Sequence, residues 1–145
     1  MRLAVVSTLA MAIFAAIGCA GTFSNPSGKQ NALEESQRRY TELVRWGQIE
    51  RASAFVDPEL QDEYLDHATA IQGIRFTDFE SGPPRFGDGN NSASVTVVYH
   101  AFSLSTLVEK RIRENQEWYR ETGPTNQWRV RPNLRQILSD VTGSQ

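Results

Sequence analysis

One cysteine, two histidines and no block of basic residues close off several chemistries before any pattern is sought in this 145-residue chain. With Cys19 alone, no intramolecular disulfide can form. His67 and His100 lie 33 positions apart with no acidic partner fixed beside either, so no metal-ligand spacing exists. A net charge of −2, spread without a basic run, argues against nucleic acid as the main partner. It also offers nothing to anionic lipid headgroups. No serine stands in a strand-to-helix elbow pattern. Gly87-Asp88-Gly89 precedes a strand instead of opening a helix, so it is no phosphate loop. No cofactor is expected.

What is present begins at the N-terminus. Arg2 is the only charge before an almost wholly apolar stretch, Leu3 to Ile17, which has the basic start and apolar centre of a secretory leader. Ala16-Ile17-Gly18-Cys19 follows, and it resembles the lipobox of bacterial lipoproteins, with Ala16 where the family usually prefers leucine. The resemblance implies that the Cys19 thiol takes a diacylglycerol, that the bond before it is cut, and that fatty acyl chains such as palmitate anchor the mature chain. Two or three such chains hold stably where one binds marginally. Ala20 in place of aspartate resembles lipoproteins sent to the outer membrane, facing the periplasm. An uncleaved membrane span and an ordinary secretory signal are the competing readings of the same run.

Residues 1–18 are thus expected to be leader and residues 19–31, rich in Gly, Ser and Asn, a flexible tether. Residues 32–138 have the length of one domain. From Ala32 the period is helical, with Leu33, Gln37, Tyr40, Leu43 and Val44 on one stripe and Glu34, Glu35, Arg38, Arg39 and Glu42 on the wet side. Gly47 should break this helix. Ile49, Ala52, Phe55 and Val56 continue an apolar face to Asp57-Pro58, and Pro58 to His67 reads as a short helix with Leu60, Tyr64 and Leu65 inward.

After Gly73 the period falls to two. Ile74 and Phe76 share one face of an edge or bulged strand and Phe79 takes the other. Ala93 to Phe102 is a central strand, with apolar groups in both rows. Leu107 to Arg120 alternates an outer row (Glu109, Arg111, Arg113, Asn115, Glu117) with an inner one that includes Val108, Lys110, Ile112, Glu114, Gln116 and Trp118. Gln127 to Arg131 adds a strand with Trp128 and Val130 on one face. Leu134, Ile137 and Leu138 are read as its extension beyond Pro132, and residues 139–145 as frayed.

Helices first and an antiparallel sheet after them make an α+β domain with helices on one face of a curved sheet of about four strands. In this order, and in Arg45-Trp46-Gly47, Ala52 to Pro58, Glu117-Trp118-Tyr119 and Gln127 to Val130, the chain resembles the NTF2-like superfamily, also called SnoaL-like or cone fold. A cystatin-like arrangement is the alternative. The resemblance implies a conical pocket between helices and sheet, used by relatives as an active site or a binding cavity. Tyr40, Phe55, Tyr64, Phe76, Ile112, Glu114, Gln116, Trp118 and Trp128 are its candidate lining. Either Glu114 and Gln116 face that pocket, or the strand end projects beyond the helices and their row is wet. Trp46, Trp118 and Trp128 invite a ligand-cage reading, against which stands the need of so small a domain for core aromatics. Val98, His100 and Phe102 lie on the less apolar row and form a candidate docking face for an envelope protein or a second copy. His67, ending a helix, suits the helix dipole.

Three functions remain. The first is a membrane-anchored module binding a partner protein or a small hydrophobic ligand without catalysis. The second is an isomerase- or dehydratase-like enzyme with Glu114 or His100 as base. The third is a structural subunit docking through the outer sheet face. The absence of a convincing acid/base pair favours the first and third.

Overall fold

The computed structural model describes residues 26–143, so Cys19 and the apolar run before it lie outside the described residues. Helix α1, Pro26–Arg45, is the long element of the helical layer. Its stripe sets Leu33, Gln37, Tyr40 and Val44 against the sheet, while Glu35, Arg38, Arg39 and Glu42 pair with one another along the solvent side. The helix starts six residues before Ala32, so 26–31 is not tether. Lys29 explains why: its ammonium donates to Gly89 O and Asn91 Oδ1, and its carbonyl accepts from Trp128 Nε1. At the other end Gln48 N donates to Leu43 O and Gly47 N to Val44 O, a Schellman closure that requires the left-handed φ of +66° at Gly47.

Short helices carry the chain back: α2 (Ile49–Ala52), two 3-10 turns (Ser53–Phe55 and Pro58–Leu60), α3 (Gln61–Asp66) and α4 (Ala68–Ile71). The single helix expected over Pro58 to His67 is therefore divided. Tyr64 is buried, but Leu65 is 38% exposed, not inward, because adjacent residues of a helix point about 100° apart and Tyr64 takes the inward direction. Asp57 caps the second 3-10 turn through Glu59 N and pairs with Arg131 Nε at 2.7 Å.

Strands β1 (Ile74–Ser81), β2 (Arg85–Phe86), β3 (Ser92–Ser103), β4 (Glu109–Arg120) and β5 (Trp128–Arg131) form one antiparallel sheet in the order β1-β3-β4-β5, with β2 continuing the β1 edge of β3. A bulge between Phe76 and Asp78 shifts the register by one, so Phe79 pairs with Tyr99 and returns to the inner face. Its expected outward placement is corrected by that extra residue. In β4 every second residue from Ile112 to Trp118 is buried and every second one exposed, as the two-residue period demands. Val108 is 57% exposed because it precedes the strand, in the hairpin turn.

Beyond Pro132 the chain turns into a helix, α5 (Leu134–Thr142), not a strand extension or a frayed tail. Asn133 Oδ1 accepts from Gln136 N at the start, and Gly143, at φ +71°, ends it. Leu134, Ile137 and Val141 are buried against β3 and β4, so α5 packs on the inner face of the sheet.

Candidate functional site

The interior between α1, α3, α5 and the sheet is where the inner rows of β3 and β4 converge. Cross-strand pairing sets Glu114 opposite Val97 and Gln116 opposite Val95, with Tyr99 one step along. Neither Glu114 nor Gln116 has any exposure, so the row is not wet.

An ionised carboxylate there needs partners. Glu114 Oε2 accepts from Gln116 Nε2 at 2.9 Å and from the Tyr99 hydroxyl at 3.2 Å, and Oε1 accepts from Asn133 N at 3.3 Å. Gln116 is itself held by Trp118 Nε1, which donates to its Oε1 at 3.2 Å. Burial pushes the Glu114 carboxyl above its ordinary 4.5, and the pull of Gln116, Asn133 and Tyr99 offsets this only in part. The same burial raises Tyr40, Tyr64 and Tyr99, leaving them neutral hydroxyls. Tyr40 stacks edge-on against Trp118 at 5.9 Å and lies 6.4 Å from the Tyr64 ring. The hydroxyls of Tyr40 and Tyr64 are buried without a hydrogen bond of normal geometry.

Six predicted lining residues, Tyr40, Tyr64, Ile112, Glu114, Gln116 and Trp118, are thus buried in one interior, and Phe76 joins them through Tyr99 at 5.3 Å. Phe55, half-buried, and Trp128, buried, pack in the same core but also border a surface cavity of 410 Å³ at the start of β5. Trp46 is 65% exposed, its ring under the Arg45 guanidinium, so only Trp118 and Trp128 serve the core. The cluster also includes Tyr99, Thr41 and Asn133. The strand row held Tyr99, but nothing local tells which residue of β4 it faces. Asn133 was findable, since Asn-x-x-Gln before an apolar period is a helix-start signature.

Glu114 and Gln116 are not among the lining residues of five cavities of 250–440 Å³ that the described residues form. The nearest, 260 Å³, lies outside Tyr64 and Asn133 with His67 on its rim, and the Arg135–Glu63 pair at 3.1 Å borders it. On the far side of the sheet, His100 sits between Glu80 and Glu109, 3.5 and 3.6 Å away. Val98 is flanked by Glu80 and Arg113, and Phe102 by Arg75 and Glu109, so charged neighbours separate the apolar groups of that face. Among the described residues no group of three or more His, Cys, Asp or Glu is placed to hold a metal, and no helix is long and apolar enough to cross a membrane.

No family model and no curated protein matches the chain in sequence. In structure it is similar to a candidate polyketide cyclase from Xanthomonas campestris pv. campestris, at 10% identity over 78% of this chain and 98% of that one, TM-score 0.51. It is also similar to a ketosteroid isomerase-like protein from Erwinia carotovora atroseptica, at 14% identity over 70% and 90%, TM-score 0.52. At such identities the likeness speaks for the fold alone, and that fold is NTF2-like.

Proposed function

We propose that the chain is a non-catalytic binding module of the bacterial cell envelope, anchored by acyl groups on Cys19 to the outer membrane and presenting its α+β domain to the periplasm. The observation that carries the non-catalytic part is the interior. Glu114 has no exposure, both its oxygens already accept hydrogen bonds, and α5 packs on the inner face of the sheet. A general base must reach the proton that it removes, and this carboxylate has no open neighbour from which to take one. The anchor rests on the chain's only cysteine standing after small residues at the end of the apolar run. Its partner is a small ligand or an envelope protein, with the Val98, His100 and Phe102 face available for docking or for a second copy.

A second reading has one observation in its favour. The Tyr40 and Tyr64 hydroxyls lie in the same interior as Glu114, facing each other but with no hydrogen bond of normal geometry, and buried donors of that kind serve an isomerase- or dehydratase-like site when a substrate brings the acceptor.

Complementation of a deletion strain with full-length Glu114→Gln separates the two, with melting of the purified variant as the control for folding. Restored phenotype supports the module. A folded variant that fails to restore it transfers the case to the enzyme. Cys19→Ser tests the anchor: acyl labelling and membrane fractionation should both be lost, and a variant that keeps its label refutes the lipobox.

A further inference from the structure

Between α1 and the segment that joins β1 to β2 lies a cavity of 250 Å³ whose walls are Leu33, Val95, Pro83 and Pro84. The segment can approach β3 this closely because residue 82 is glycine: its N–H donates to Thr96 O at 2.9 Å, and a Cβ there would stand 3.3 Å from that oxygen. Gln37, 7% exposed, lines the cavity. Its Nε2 donates to Thr41 Oγ1 at 3.0 Å and to Ser81 Oγ at 2.9 Å, which uses both amide hydrogens. Its Oε1 has no hydrogen-bond partner among the described residues and belongs to a side chain that lines the cavity. Glu34 stands at the rim, exposed and without an ion pair among the described residues, since Arg38 is taken by Glu35 and Glu42. Among the described residues no lysine or arginine borders the cavity.

An apolar slot whose unpaired polar groups are a carboxylate and an amide oxygen, with no lysine or arginine among its described lining residues, complements a donor that carries positive charge. We propose that this cleft binds a small aliphatic ammonium, its alkyl chain against Leu33, Val95 and the two prolines and its head shared by Glu34 and Gln37 Oε1. A half-open cleft of 250 Å³, below the usual size of a drug-binding pocket, suits a short chain. The proposal deepens the binding-module reading, and rests on it in taking this cleft and not the filled interior as the ligand site.

The test is titration of the full chain in detergent with n-butylammonium, followed by the amide resonances of the Gln37 side chain and of Gly82. Saturable shifts at both are expected, weaker with n-butanol and absent with butyrate. Glu34→Lys, a change at an exposed position that leaves the fold intact, should weaken butylammonium at least about tenfold. Charge removal alone, in Glu34→Gln, should weaken it up to about fivefold, the scale of one exposed ion pair. No saturable shift, equal binding of butyrate, or a Glu34→Lys variant that binds as tightly as the parent overturns the proposal. None of these outcomes touches the Glu114 complementation, so the cleft and the module reading fail separately.

Discussion

Replacing Glu114 by glutamine asks whether the buried acid keeps its proton in the folded state. Both carboxyl oxygens face donors: Gln116 Nε2 and the Tyr99 hydroxyl on one, Asn133 N on the other. Gln116 cannot turn its amide round without losing the bond from Trp118 Nε1. An amide at 114 must therefore set its NH₂ against a donor, and the cheaper choice gives up the 3.3 Å contact with Asn133. One buried donor left unpaired costs about 1–3 kcal/mol. The neutral acid brings one O–H where the amide brings two N–H groups, a difference that does not change with pH, so the pH-dependent part of the gap between parent and variant is set by the charge. Because burial raises the folded-state pKa above 4.5, the folded parent holds a proton that the unfolded chain releases. Its contribution is complete below pH 4.5 and is lost as pH rises through the raised value, at up to ~1.4 kcal/mol per pH unit within that window. Urea unfolding of parent and Glu114→Gln from pH 4 upward measures this. The parent's advantage should shrink as pH rises and then level off. A pH-independent difference, or a parent that gains on the variant with rising pH, would refute the argument.

Other substitutions probe the packing. Trp118→Ala removes a side chain 1% exposed and leaves Gln116 Oε1 without its donor, so a loss of about 3–5 kcal/mol in urea unfolding is expected. Ile137→Ala should cost about 2–4 kcal/mol if α5 is part of the core, and a melting curve unchanged from the parent would return the C-terminus to a frayed tail. Gly47→Ala meets no atom within 4 Å, so only the left-handed backbone resists it, at about 1–2 kcal/mol by thermal unfolding.

How far the sequence carried depends on whether local chemistry decided the element. The stripe of α1, the break at Gly47 and the two-residue period of β4 are all local patterns, and all three stand in the fold. The start of α1 was not local: Pro26 to Asn31 looks like linker, and long-range bonds at Lys29 tie it down. Phe79 changed faces because the sequence allowed a bulge in this strand without locating it, and the extra residue falls between Phe76 and Asp78. The helix α5 was legible in principle, from Asn133, Gln136 and the three-four spacing of Leu134, Ile137, Leu138 and Val141, but Pro132 next to a strand suggested its continuation. Glu114 and Gln116 were seen on the inner row. That row could not say whether helices covered it, because burial depends on elements more than 70 residues away, as the approach of Thr41 to Gln116 illustrates.

The central claim is that the space under the helices is a sealed core and not a chamber. Trp118 reports on it, lying against Tyr40 and bonded to Gln116, while Trp46 is exposed and Trp128 sits at the other cavity. In a Trp46→Phe, Trp128→Phe protein, Trp118 is the sole indole, and acrylamide quenching of its fluorescence measures access to the interior. The account predicts blue-shifted emission and a quenching slope far below that of the unfolded chain. A cooperatively folded protein whose Trp118 is quenched as readily as in the unfolded chain would contradict it.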